Sequence, residues 1–176
     1  MAQQRKAAVT WKGAPTDLVG PALKPGDAAP TDFTLVGTDM SPVSGADLRG
    51  KPRIVCAVPS LDTPVCDMEM RRFNTEAEKI PGVNVFVVSL DLPFAQKRWC
   101  GAFGVDKVKM LSDHKEGSFG TNYGTLIKEL RIESRAIFVI GRDNTIKHVE
   151  YVKEVADFPN YDAALSAAQS AQAAAQ

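Results

Sequence analysis

The order of elements along the 176-residue chain predicts a three-layer α/β sandwich, a mixed central β-sheet flanked by helices, with a β-hairpin at the N-terminal end. Three observations predict it. Two nearly continuous apolar runs, residues 53–58 and 83–90, have the character of strands buried on both faces. A segment of helical character follows each run, and strand–helix–strand units place parallel strands side by side. Near the end, residues 135–140 and 145–152 flank Gly141-Arg142-Asp143-Asn144, turn chemistry that adds antiparallel neighbours.

In chain order, residues 8–11 and 17–19 form the predicted hairpin around a Lys12-Gly13-Ala14-Pro15 turn. Lys24-Pro25-Gly26-Asp27-Ala28-Ala29-Pro30 is rich in breakers and predicts a loop. Residues 33–36 predict a short strand, and 41–51 a polar stretch with a helical turn at 46–49. A helix over 64–80 follows the strand at 53–58. Thr63 is its N-cap, Pro64 occupies the first helical position, and Pro81-Gly82 ends it. Cys66, Met70, Phe73, Ala77 and Ile80 fall on one stripe of that helix, the stripe that faces the sheet.

Asp91-Leu92-Pro93 opens a second helix over 93–100, closed by Gly101. Residues 107–111 predict a strand, 112–124 a loop with helical pieces, and 127–132 a short strand or extended segment. A C-terminal helix runs over 161–171 or beyond, with residues 172–176 as a frayed Ala/Gln tail. Residues 1–176 are read as one domain, long enough to bury a core without staples.

Formal net charge is zero and no basic run occurs, so a nucleic-acid partner is not expected. No apolar run approaches the ~20 residues that cross a bilayer, so neither is a membrane. The start lacks an apolar core of signal-peptide length, and a cytoplasmic setting is the expectation. Three cysteines at this length do not make a disulfide scaffold.

Cys66 carries the chemistry. It lies in the first turn of a helix, where unpaired N–H groups and the positive end of the dipole favour an anion, and the thiolate is the nucleophilic form of cysteine. The bland alternative is a small core hydrophobe. Asp62 and Asp67 would oppose a thiolate if close, so a cation is expected nearby; Arg71, Arg72 and Arg135 are the candidates, the first two being read rather as ordinary solvated helix residues. Cys100 lies 34 positions after Cys66, on a different helix. It is either the partner of Cys66 or an unrelated thiol. A bond between them needs Cα atoms within about 7 Å, which predicts local unwinding that Gly101 and Gly104 would permit. Cys56, inside a strand, is read as core. No Cys-x-x-Cys occurs, and His114 and His148 stand apart from the cysteines, so no metal and no organic cofactor are expected.

The string Val58-Pro59-Ser60-Leu61-Asp62-Thr63-Pro64-Val65-Cys66-Asp67 resembles the peroxiredoxin motif Pro-x-x-x-Thr-x-x-Cys. Together with Asp91-Leu92-Pro93-Phe94-Ala95-Gln96-Lys97-Arg98-Trp99-Cys100-Gly101, Met110-Leu111-Ser112-Asp113-His114, Leu126-Ile127-Lys128-Glu129-Leu130 and Lys24-Pro25-Gly26-Asp27, it is similar to the bacterial thiol peroxidase branch, the atypical 2-Cys peroxiredoxins, over nearly the whole chain.

The resemblance implies a thioredoxin-like fold and reduction of hydrogen peroxide and organic hydroperoxides. It implies Cys66 as peroxidatic and Cys100 as resolving cysteine, joined in an intrachain disulfide that thioredoxin reduces. Thr63 would hydrogen-bond thiolate and peroxide, Pro59 would shield the site, and Arg135 would hold the thiolate. It also implies a homodimer. Phe103 is an apolar residue where a polar one is usual, and Cys56 has no place in the family mechanism. Three rivals stand beside this reading: a redox sensor oxidised once per event, a thioredoxin-like reductase, which the missing Cys-x-x-Cys disfavours, and a structural domain.

Overall fold

The computed structural model describes residues 2–175. A hairpin, β1 (Gln4–Trp11) and β2 (Ala14–Val19), opens the chain, followed by β3 (Thr34–Gly37), β4 (Pro42–Ser44) and a 3₁₀ turn over Gly45–Leu48. Next come β5 (Arg53–Ala57), α1 (Pro64–Ala77), β6 (Asn84–Ser89), α2 (Pro93–Phe103) and β7 (Val108–Ser112). Then follow α3 (Ser118–Tyr123), β8 (Leu126–Ile127), β9 (Ile132–Glu133), β10 (Ala136–Ile140), β11 (Ile146–Tyr151) and α4 (Tyr161–Ala174).

The seven-stranded sheet has the order β11-β10-β5-β6-β7-β3-β4. β5, β6 and β7 are mutually parallel, with Cys56 opposite Val87 and Val87 opposite Met110. β10 runs antiparallel to β5 and hairpins onto β11. Successive residues of each strand feed opposite faces, so two cores form. Ile54, Cys56, Val85, Val87 and Ile137 meet α1, Trp99 of α2 and the small face of α4. Val55, Ala57, Phe86, Val88 and Phe138 meet Phe119 and Tyr123 of α3 on the other side. This is the predicted three-layer, thioredoxin-like sandwich, with the mixed sheet in the middle.

Local chemistry explains where the elements differ from expectation. The hairpin turns on two residues, Lys12 and Gly13, both at positive φ, so Ala14 and Pro15 already belong to β2. A second small sheet, β1-β2-β8-β9, gathers this hairpin with two two-residue strands; the stretch expected at 127–132 is two strands joined by a turn. α1 stops at Ala77, and Ile80 stays buried in a tightened turn ahead of Pro81, its N–H reaching Ala77 O. α2 passes through Gly101 and ends three residues later, where Gly104 adopts the left-handed cap and donates to the carbonyl of Cys100. The helix α4 continues through Ala174, so residues 172–174 are helical where a frayed tail was expected. Gln176 lies outside the described residues.

Candidate active site

Cys66 is brought to its place by the end of β5 and the first turn of α1. The Thr63 hydroxyl accepts from the Cys66 N–H at 3.4 Å and donates to Ser60 O at 3.1 Å, so one side chain caps the helix and closes the preceding turn. Asp91, two residues past the end of β6, anchors that turn. Its carboxylate accepts from Ser60 Oγ at 2.7 Å, the Leu61 N–H at 2.8 Å and Ser89 Oγ at 2.8 Å. Pro59 is buried within the same loop. A shallow cleft lined by Leu61, Thr63, Pro64, Asp67, Trp99 and Phe103 lies over the start of α1.

The Cys66 side chain is buried, and Arg135 reaches it from the residue just before β10, donating from Nη2 to Sγ at 3.2 Å. The same guanidinium donates from Nε to Val155 O at 2.9 Å and from Nη1 to Glu69. Both Arg135 and Glu69 are buried. Burial works against the Arg135 charge, but Glu69 and Cys66 outweigh it and hold the guanidinium above its ordinary value. Burial pushes the Glu69 carboxyl up to about 7, against the pull of Arg135. One cation is thus shared between a carboxylate and a sulfur.

Arg71 and Arg72 do not enter this cluster. Arg71 pairs with Asp67 at 3.1 Å and stacks over Phe103, while Arg72 pairs with Asp162. Asp67, expected to oppose a thiolate, spends its charge on Arg71 and on the Trp99 indole N–H at 3.1 Å. Asp62 is exposed. Cys100 lies in the last turn of α2, half-buried against the same apolar cluster that holds Cys66, and both are free thiols. Burial raises the Cys100 thiol from its ordinary value. Cys56 is wholly enclosed in β5, where burial raises its thiol much further and keeps it neutral.

Glu69 and Asp91 escaped the sequence reading. Glu69 stands three residues after Cys66, on the stripe that α1 buries, and a carboxylate on an apolar face was the available signal. His114, expected in a solvated loop, has its Nδ1 2.9 Å from Ser112 Oγ, which itself donates to Asp91 O at 2.6 Å.

A buried sulfur at a helix start that accepts from a guanidinium is an arrangement suited to the charge that develops around sulfur during displacement. The Redoxin family model matches residues 24–165. The chain belongs to the peroxiredoxin family, in its thiol peroxidase branch. A thiol peroxidase of Halalkalibacterium halodurans is 49% identical over 94% of this chain and 99% of its own. That of Bacillus subtilis is 49% identical over 93% and 98%. A peroxiredoxin-like protein from Aquifex aeolicus has a crystal structure 38% identical in sequence, with a TM-score of 0.87 over 94% of this chain and 98% of that one. This peroxiredoxin is therefore a peroxidase that reduces peroxides through thiol chemistry.

Proposed function

We propose that Cys66 is the peroxidatic cysteine, Cys100 the resolving one, and Arg135 and Thr63 the groups that hold the reacting atoms. The observation that carries this reading is the Arg135 guanidinium donating to the sulfur of a buried, helix-start cysteine.

The Cys66 thiolate attacks the terminal oxygen of a hydroperoxide. A sulfur–oxygen bond forms, the O–O bond breaks, and the alkoxide or hydroxide leaves and takes a proton. Arg135 stabilises the charge on sulfur, and the Thr63 hydroxyl and the Cys66 N–H turn from Ser60 O and from each other to donate to the peroxide oxygens. Pro59 keeps bulk water from the sulfur. Cys66 is left as a sulfenic acid, the Cys100 thiol displaces its oxygen as water, and an intrachain disulfide forms. An external dithiol protein, thioredoxin by family, restores both thiols by exchange. We also infer from the family a homodimer in a cytoplasmic setting; sedimentation of the reduced protein reads the first.

The test is to mix reduced protein with one equivalent of hydroperoxide, quench with an alkylating agent and map the sulfurs by peptide mass. The expected product is a Cys66–Cys100 disulfide with Cys56 alkylated. Cys66→Ser should consume no peroxide. Cys100→Ser should give one oxidation per chain and no thioredoxin-coupled turnover. Oxidised Cys66 without the bond in the wild-type protein would remove Cys100 from the cycle and favour the sensor reading.

A further inference from the structure

Two residues before Arg135, Glu133 of β9 is fully buried, and so is Asp113 in the loop after β7. Their carboxyl groups converge on Gly120 from two sides, so the two charges face each other. Asp113 holds the start of α3, accepting from the Gly120 N–H at 2.9 Å and the Phe119 N–H at 3.3 Å. Glu133 Oε2 accepts from the Thr125 hydroxyl at 2.5 Å, while Oε1 is buried with no partner. Gly120 makes room for this carboxyl: a Cβ there would meet both Glu133 oxygens at 2.6 Å. The charged groups facing Glu133 are Asp113 and, from the β8–β9 turn, Arg131, whose residue is exposed. α3 brings backbone N–H groups, and these already serve Asp113.

Two bare carboxylates facing each other in a low-dielectric site repel, and each has lost its water. A single shared proton removes the repulsion and turns one carboxyl into a donor for the other. The partners decide which one carries it. Asp113 has backbone donors suited to an anion, whereas Glu133 has one hydroxyl donor and an orphaned oxygen.

We propose that Glu133 is protonated in the folded protein and donates to Asp113, and that this one-proton clasp positions Arg135 against Cys66. The proposal rests on the reading of Arg135 as the group that activates Cys66. The route between them is short. Glu133 pairs with Leu126 of β8, the Ser134 N–H donates to Thr125 O at 2.7 Å, and Arg135 O accepts from the Val152 N–H at 3.0 Å. Burial and the Asp113 charge both push the Glu133 carboxyl well above the usual range, in the direction the geometry requires. Removing the proton places a second negative charge beside Asp113, drives β9 from α3 and withdraws Arg135 from the sulfur.

The test follows single-turnover oxidation of Cys66 by hydrogen peroxide, trapped as the dimedone adduct, from about pH 6 to about pH 10, where thiols and raised carboxyls titrate. The wild-type rate should pass through a maximum and fall on the alkaline side by about 100-fold, the loss that follows removal of one aligned donor. Glu133→Gln, whose amide donates to Asp113 at every pH, should keep the neutral rate within about 3-fold and lose the alkaline fall. Superimposable profiles would overturn the clasp. Carboxyl-¹³C NMR of the wild-type protein needs no variant: the assigned Glu133 resonance should be in the protonated position at neutral pH, and an ionised Glu133 overturns the proposal directly. A wild-type protein that leaves Cys66 reduced at every pH while Glu133 stays protonated would instead overturn the role given to Arg135 and Cys66, and the clasp's catalytic purpose with it.

Discussion

Arg135 has one positive charge and two claimants, the Glu69 carboxylate and the Cys66 sulfur. All three are buried, so the balance is set by local contacts rather than by solvent or salt. Removing Arg135 leaves the buried Glu69 carboxyl without its partner, which destabilises the fold even as that carboxyl takes up a proton. It also removes an aligned donor from the reacting sulfur, worth roughly 100-fold or more in rate. Arg135→Met should show both effects, measured by urea unfolding and by single-turnover oxidation; a variant that lost stability but oxidised at the wild-type rate would take Arg135 out of the chemistry. Glu69 makes a separate prediction with a definite sign. Its carboxyl is near 7 folded and 4.5 unfolded, so the folded state binds the extra proton between those values and stability falls as pH rises from about 4.5 to about 7. The fall is about 3 kcal/mol, because a tenfold difference in proton affinity between the two states is worth ~1.4 kcal/mol. Glu69→Gln should remove that part of the pH dependence, read by unfolding at both ends of the window; an unchanged slope would place the titration elsewhere. The sequence named Arg135 only as one of three candidate cations and passed over Glu69. A carboxylate on a buried stripe becomes interpretable only when a distant strand brings its counter-charge.

The N-terminal hairpin shows what an element's sequence conveys and what it omits. Alternation predicts β1 and β2, but the hairpin's anchor lies some 140 residues away. Glu154 accepts from the N–H groups of Gly13, Lys12 and Ala156 and from the Thr10 hydroxyl. Backbone donors, Gly13 first, hold its carboxyl down to about 2. A depressed carboxyl contributes stability that is present above its unfolded value of 4.5 and is lost as pH falls through about 2. The Lys12 and Gly13 amide resonances should therefore titrate near pH 2, and Glu154→Gln should abolish that titration; a midpoint near 4.5 would mean the anchor does not form. The long parallel strands and α1 were legible because each has its own period and caps. β4, β8 and β9 were not, being two or three residues long and defined by their partners. The end of α2 was misplaced by one turn because Gly101 and Gly104 look alike in sequence, and only Gly104 takes the left-handed conformation.

At the scale of the whole molecule, the proposed disulfide sets a cross-link against the packing that must be undone to make it. Closing a loop between positions 66 and 100 stabilises the folded state by about 4 kcal/mol in the chain-entropy model. Cys66, however, is buried under the first turn of α1, and Cys100 sits in the last turn of α2, its carbonyl bound by the N–H groups of Gly104 and Val105. Unwinding α2 at Cys100 carries the adjacent Trp99 with it. Trp99 is buried, donates to Asp67 and packs at a tilt against Phe103. A tryptophan buries on the order of 150–250 Å², or roughly 4–6 kcal/mol at 25 cal/mol/Å². The helical hydrogen bonds, the cap from Thr63 and the Arg135 contact to Cys66 are lost in addition. Packing therefore outweighs the cross-link, and the oxidised protein should be the less stable form. Calorimetry of the reduced and peroxide-treated protein should show the lower melting temperature on oxidation. Hydrogen exchange should locate the loosened amides at the start of α1 and the end of α2, leaving β5, β6 and β7 protected. An oxidised form that melts higher by the cross-link's full increment, with α2 still protected, would mean that Cys66 and Cys100 meet without unwinding.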